Sequence, residues 1–466
     1  MKKVKILFGI LGIVLLSACN KLIDVKPENE LDVRSIYAND HLATSAITGI
    51  YKSMMTEIGP YNGQLTRGFM LSTDEVIRFN SIADDTRFLN LSWKSTDVII
   101  ANFWNKSYSY IYHCNSAIIN LQKSKSLSAN LRDQLEGEAK FLRAFVYFYL
   151  VNLFDSIPLV LDIDTETTIK LKRTAPSLIY QQIITDLAEA QQLLPESYPV
   201  NSISQNIRAT KAAATALLAK VFLYTKKYNS ADELSSKVIR WGKYTLENNL
   251  AAAFLSGSKE TIFALYPTMD EYNTVEGRIF SINPTTNKAS FEISPGLLAA
   301  FEPTDYRVAQ WMNSYAGGTS TFKVPCKYKV SQATDGKVTE YNTILRLAEM
   351  YLIRAEANLK LGNLQQAVDD INAIRKRANA TILSSTDPQK IRIALELENQ
   401  REFFAEFGHR WFDLRRWESV QSNWQTRADD ILGQSKKQYW AGYKINLPIP
   451  ADELLRSDSL TQNVGY

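Results

Sequence analysis

Five residues spaced for chemistry stand near the C-terminal end of the chain: Glu398, Glu402, Glu406, His409 and Asp413 recur at intervals of three or four. That spacing puts side chains on one face of a helix. Carboxylates and an imidazole gathered there are what a divalent metal or an acid/base pair requires. The residues between them point elsewhere. Phe403, Phe404, Phe407, Trp411 and Phe412 share the segment, and Arg401, Arg410, Arg415 and Arg416 offer a cation for almost every acid. An amphipathic helix with an ion-paired face and an aromatic core accounts for the same pattern. The chain has three histidines, His41, His113 and His409, so a His-rich metal set is not available. No G-x-S-x-G, Walker A or dinucleotide-binding glycine pattern occurs. A glycosidase needs only two carboxylates, which keeps a secreted helical hydrolase open as a reading, but the expectation is a protein that is not an enzyme.

A second set of residues is suited to binding. Flat aromatics stack the apolar faces of a ligand, while amides, carboxylates and guanidiniums bond its polar groups. Two stretches of weak periodicity, about 58–100 and 242–342, carry such residues: Arg78, Phe79, Asn90 and Trp93 in the first, Tyr272, Trp311 and Tyr315 in the second. Trp93 and Trp311 are first choices, because a tryptophan in a loop without core periodicity is expected at the surface. Trp104 is set aside, since its spacing to Tyr108, Ile111 and Tyr112 assigns it to a helix core. The acidic pairs Asp84-Asp85 and Asp270-Glu271 offer oxygen ligands for a structural Ca²⁺. A solvated charge pair is the simpler reading, and no cofactor is expected.

Cys19 is the third chemically distinctive residue. A basic start (Lys2, Lys3, Lys5) is followed by the apolar run Ile6–Leu16 and the small residues Ser17 and Ala18, the pattern of a secretory signal. The run from Ile6 to Ala18 spans only about 20 Å as a helix, against about 30 Å of membrane hydrocarbon. Leu16-Ser17-Ala18-Cys19 resembles a bacterial lipobox, whose cysteine is diacylated and becomes the new N-terminus. Acyl chains at about 0.8 kcal/mol per buried CH₂ anchor a protein to a membrane without spanning it. Of the other cysteines, Cys114 fits a helical pattern and reads as a buried free thiol, although a bridge to Cys326 stays open.

These residues must be positioned by a chain of 466 residues that is 45% apolar, enough for a large core. The formal charge of +4 falls to +1 once Lys2, Lys3 and Lys5 leave with the signal, so the basic stripe that nucleic acid requires is missing. Periodicity predicts helices over about 35–55, 101–122, 131–154, 176–194, 209–225, 229–241, 344–361, 364–378, 388–407 and 411–420, with β-like runs at Thr261–Tyr266 and Thr321–Val330. A repeat runs through the helices. Tyr351, Ala355, Gly362 and Ala367 follow the tetratricopeptide order, a weaker copy covers Lys211–Ile239 with Lys226 at the turn-glycine position, and a third is split around an excursion at 155–175. Residues 35–55 with 101–122 make a fourth pair.

Three segments then carry a family resemblance. They are Phe141–Phe154 with Ile157-Pro158-Leu159-Val160; Ile344–Ala357 followed by Ile371–Arg375, Arg401-Glu402 and Glu406–Trp417; and Leu447-Pro-Ile-Pro450 with Glu453 and Gln462–Tyr466. In this order, behind a lipobox, they resemble the SusD/RagB family of outer-membrane nutrient-binding lipoproteins of Bacteroidetes. Asp155-Ser156 stands where Gly-Asp is commoner. The resemblance implies an all-α scaffold of about four tetratricopeptide-like helix pairs with loop-rich ligand-binding insertions and minor β structure. It divides the chain into a signal (1–18), a lipidated tether (19–34) and one SusD-like domain (35–466). It also implies an oligosaccharide ligand, a cell-surface place on the outer membrane, and delivery to a SusC-like TonB-dependent transporter. A peptide-binding member of the family, or a tetratricopeptide adaptor that binds proteins, are the alternatives.

Overall fold

The computed structural model describes residues 33–78, 82–198, 206–268, 273–283, 286–317, 319–332, 337–421 and 425–466. The signal, Cys19 and most of the tether lie outside them. After a one-turn helix at Val33–Ile36 come α1 (Asp40–Met55), α2 (Gln64–Ser72), strand β1 (Val76–Arg78) and α3 (Ala83–Leu89). A helical array follows: α4 (Val98–Lys123), α5 (Ala129–Phe154), α6 (Pro176–Leu193), α7 (Lys211–Tyr224) and α8 (Tyr228–Arg240). It resumes with α9 (Leu347–Leu361), α10 (Leu364–Arg377) and α11 (Pro388–Phe403), and ends with α12 (His409–Arg416), α13 (Arg427–Ser435) and α14 (Ala451–Arg456).

Each helix from α4 to α11 packs on the next in sequence, the arrangement of a stacked repeat. Local chemistry sets the ends. Thr210 and Asp387 cap α7 and α11 with side-chain oxygens, prolines open α6 and α11, and Gly362 closes α9 in the left-handed region at φ +83°. At the matching turn between α7 and α8, Lys226 adopts φ +57° with a side chain instead of a glycine, and its ammonium reaches Glu418 at 2.8 Å. In the expected fourth pair, α1 crosses both α4 and α5, while the broader face of α4 goes to α5. Arg143 ties three helices together: from α5 it grips Asp186 of α6 through two bonds of 2.8 and 2.6 Å and Asn115 of α4 at 2.9 Å.

The long stretch 242–342 is an insertion between α8 and α9, which pack side by side although about a hundred residues separate them. It contributes β2 (Thr261–Leu265), β3 (Phe291–Ile293) and the hairpin β4 (Met312–Gly317) and β5 (Ser320–Pro325). β6 (Asn342–Arg346) returns antiparallel to β2, and β3 pairs with β1. The expected helix start at Ile344 is therefore corrected. Asn342–Arg346 is a fully buried run, which periodicity does not distinguish from helix, and pairing with β2 decides it. The stretch 58–100, expected to be irregular, holds the helices α2 and α3.

Ala355 and Ala367 are fully buried in one apolar cluster between α9, α10 and α11. Ala367→Leu should overpack that contact and cost about 1 to 3 kcal/mol. Thermal melts check this, and an unchanged Tm would remove the close approach from the repeat.

Candidate glycan-binding site

The acidic cluster of α11 and α12 is not open to a substrate. Glu398 and Glu402 are fully buried and spent on arginines from far away in sequence. Arg346 donates to Glu402 at 2.5 Å, to Glu260 at 2.8 Å and to both oxygens of Glu406 at 2.9 Å. Arg307 bridges Glu398 (2.7 Å), Glu402 (3.0 Å) and Asp305 (2.7 Å), and Arg377 joins Glu260 to Glu402. Burial opposes ionisation of Glu402, but the guanidiniums of Arg377, Arg346 and Arg307 outweigh it and hold the carboxyl well below its usual range. Their spacing predicts these acids opposite arginines of their own segment. Only Arg401 with Glu398 and Arg416 with Asp413 pair in this way, because the chain turns at 404–408. Ala405, Phe407 and Gly408 have positive φ there, and Glu406 swings toward Arg346 and Lys327.

Both first-choice tryptophans are corrected. Trp311 is completely buried. Its indole N–H donates to the Leu250 carbonyl at 2.9 Å, and its ring lies 4.6 Å from the Lys327 ammonium. Trp93 is 4% exposed, packed against Phe88 and edge-on to Trp411, with its N–H bonded to the hydroxyl of Tyr466 at the C-terminus. Long-range packing gives each a core role that loop periodicity did not reveal. Arg78 is also committed, its side chain 3% exposed and paired with Asp85 at 2.8 Å. Asp85 accepts Arg67 as well, so the Asp84-Asp85 pair is not a free set of Ca²⁺ ligands. Tyr315 is half-buried opposite Phe322 on the β4–β5 hairpin. Phe79, Tyr272 and the pair Asp270-Glu271 lie outside the described residues. Cys114 and Cys326 are both buried and unbridged.

Asn90 does line a cleft. This open space of about 1010 Å³ lies where the two weakly patterned stretches meet the end of α13. One wall is Asp74, Val76 and Ile77 with Asn90 after α3, a second is Ser294 and Gly296 after β3, and the third is residues 434–439. The walls are fixed by backbone bonds. The Ser294 N–H donates to the Glu75 carbonyl at 2.8 Å, and the Lys436 ammonium donates to the carbonyls of Leu71 and Leu89 at 2.9 Å each. Burial of that ammonium pushes its pKa down to about 8.

The rim is chemically free. Among the described residues the side chains of Asn90, Gln434, Lys437 and Gln438 make no hydrogen bond, and neither does the hydroxyl of half-buried Tyr439. The apolar surface is the Tyr439 ring and Ile77, which is 42% exposed. Asp74 stands deeper, its carboxylate held ionised by Arg410 against the cost of burial. Residues 434–439 escaped the sequence reading. A polar run, Gln-Ser-Lys-Lys-Gln, ending in Tyr439-Trp440 just past a helix was the available signal.

The fold is a helical repeat that carries a long insertion, with an open cleft rimmed by amide groups and one aromatic ring. The chain belongs to the SusD family: the family's model matches residues 223–466, and a second, described as starch-binding associating with outer membrane, matches residues 21–223. The starch-binding protein SusD of Bacteroides thetaiotaomicron is 26% identical, over 71% of this chain and 72% of its own. A SusD superfamily protein from Bacteroides vulgatus superposes with a TM-score of 0.79 at 22% identity, covering 92% of this chain and 99% of that one. A laminarin binding SusD-like protein gives 0.75 at 24% identity, over 92% and 100%. The family is associated with the outer membrane, and its glycan-binding proteins are non-catalytic.

Beside the cleft, Glu75 is buried with one oxygen unpartnered, and burial together with the neighbouring Asp74 charge pushes its pKa up to about 8. Between the unfolded value near 4.5 and 8 the folded protein holds a proton that the unfolded chain releases, so stability falls as pH rises. Glu276, pushed up to about 7 by burial, acts in the same sense. Glu75→Gln should therefore lessen the drop in Tm between pH 6 and pH 8. An identical drop in wild type and variant would show that Glu75 ionises freely.

Proposed function

We propose that this protein captures oligosaccharide at the cell surface and passes it to a SusC-like TonB-dependent transporter in the outer membrane. The observation that carries the binding part is the cleft: amides, an ammonium and a hydroxyl not committed to other described groups of the protein surround an aromatic ring and an apolar side chain. That combination suits a neutral polyhydroxylated ligand, whose hydroxyls bond the rim while its C–H faces lie on Tyr439 and Ile77. The names of the relatives, starch-binding and laminarin binding, agree with a glycan. An adaptor for proteins would use the concave helical face and would have no use for a cleft built from the insertions. Ligand contacts are assigned to Asn90, Gln434, Lys437, Gln438 and Tyr439. The anchor is assigned to an acylated Cys19, and the delivery step rests on the family.

Polysaccharide-retardation gels cast with laminarin, starch and other glycans test the cleft. Tyr439→Ala and Asn90→Ala should each weaken retention by about 1 to 2 kcal/mol, a factor of roughly 5 to 30, with Tm unchanged. Trp311→Ala should instead lose stability by about 3 to 5 kcal/mol, as a buried ring does. Wild-type retention in both cleft variants would move the site elsewhere.

For anchor and partner, gentle detergent extraction of outer membranes should yield the protein together with a β-barrel transporter. Cys19→Ala should abolish palmitate labelling and leave the barrel fraction empty of this chain. Labelling that survives the substitution, or a wild-type protein free of any barrel in several detergents, would overturn this half of the reading.

A further inference from the structure

A second cavity, of about 520 Å³, lies apart from the glycan cleft and shares no lining residue with it. Three parts of the chain build it: one face of α4, the excursion that follows α5, and the C-terminal segment around α14. Bonds from side chains to backbone pin these walls together. The Tyr108 hydroxyl of α4 donates to the Pro158 carbonyl at 2.8 Å, the Asn115 amide donates to the Val160 carbonyl at 2.9 Å, and the Ser457 hydroxyl donates to the Ile169 carbonyl at 2.7 Å. The space is formed before anything enters it, which spares a ligand the cost of ordering its own site.

Trp104, Tyr108 and Tyr112 make the α4 wall, each four residues from the next and so on one face of the helix. The excursion and the tail add Val160, Ile169, Leu171 and Leu460. Within that apolar lining one polar group stands out. Trp104 is 2% exposed, yet its indole N–H finds no acceptor among the described residues and, unlike that of Trp411, is not sealed within the core. It is a nearly buried donor that opens on the cavity its ring lines. At the exposed edge the Asn105 amide and the hydroxyls of Ser109 and Tyr112 make no hydrogen bond among the described residues either. The charged groups lining the cavity are Glu453 and Arg456, which pair at 2.7 Å, and Asp162, which is exposed to water and accepts the backbone N–H of Ile163. Nothing there calls for a charged ligand.

The lining also selects among neutral ones. A sugar ring bears a hydroxyl on most of its carbons, and against Val160, Leu171 and Leu460 most of these would be desolvated without a partner. A bare alkyl chain would cover the Trp104 N–H and leave it unsatisfied. An aromatic ring packs face-on or edge-on against the tyrosines, and an oxygen attached to it can accept the indole proton. We propose that this cavity binds a neutral aromatic compound carrying a carbonyl or ether oxygen, with its ring against Tyr108 and Tyr112 and that oxygen on the indole N–H of Trp104. None of the groups involved belongs to the glycan cleft, so the site stands whether or not that cleft binds oligosaccharide.

The test uses residues 20–466, which hold every described element, and methyl cinnamate, a neutral aryl ester that absorbs in the ultraviolet. Equilibrium dialysis should show saturable binding of one molecule per chain. Tyr112→Ala, at a position 44% exposed, should weaken it about three- to tenfold while polysaccharide retention stays at the wild-type level. Trp104→Phe, which keeps a ring and loses the N–H, should weaken it to a similar extent. In protein carrying isotope-labelled tryptophan, the indole resonance absent from Trp104→Phe should move when the ester is added and stay in place with methyl glucoside. Absence of saturable binding would overturn the proposal, as would an affinity unchanged in Tyr112→Ala. An equal response to methyl glucoside would overturn it as well, because the cavity would then be a second sugar site.

Discussion

Glu402 and Arg346 sit at the centre of a buried lattice of charge on which the rest of the structure depends. Around them the acids Glu260, Asp305, Glu398 and Glu406 alternate with Arg307, Arg375, Arg377 and Lys327. Ion pairs of this kind do not outperform apolar packing in net stability, but removing one partner strands a buried charge at about 3 to 5 kcal/mol. The lattice therefore acts as an all-or-none lock. What it locks is the insertion to the scaffold: Glu260, Asp305, Arg307 and Lys327 come from residues 242–342, and Arg346, Arg375, Arg377, Glu398, Glu402 and Glu406 come from the helical repeat and the strand and turn beside it. The aromatics of the same region close it from water, with Lys327 4.2 Å from the Phe404 ring and Arg346 4.5 Å from Phe403.

That lock explains how the loop surface that carries the proposed cleft is held without a layered sheet beneath it. The strands pair only in twos among the described residues, too few to support a rigid face. β3 is instead fixed by pairing with β1 and by its neighbour β5, which runs into Cys326 and the lattice residue Lys327. The cleft opens where β1, the end of β3 and the end of α13 converge, so each wall comes from a different part of the chain. A ligand at the proposed cleft would gain from such support, because loops that had to be ordered on binding would cost part of the binding energy.

The carboxyl-terminal tail has a comparable structural task. Asn463 donates to the carbonyls of Phe154 and Leu447, Gln462 brackets the backbone of Ile449, and Tyr466 reaches Trp93. The end of the chain thereby joins the end of α5 to the segment behind the first cleft wall. Trp93 and Trp311, which look like a ligand platform in isolation, are in this protein packed and hydrogen-bonded within the core. The polar groups at the rim of the proposed cleft are those of Asn90, Gln434, Lys437, Gln438 and Tyr439.

The sequence by itself determined the long helices of the repeat and the family, because periodicity, capping residues and small residues at helix contacts are local and survive without knowledge of the partner. Gly362 at its turn and Ala355 and Ala367 at their contact are legible for that reason. Asn90 was legible as a polar residue in a stretch without core pattern. Only the tertiary structure decided which aromatics are exposed and which acids are free. Trp93 and Trp311 are buried by Tyr466 and Lys327, respectively 373 and 16 residues away, and Glu402 is neutralised by Arg307 and Arg346, 95 and 56 residues away. Burial and charge pairing across such separations depend on how the chain closes on itself, and no spacing rule along the chain encodes them.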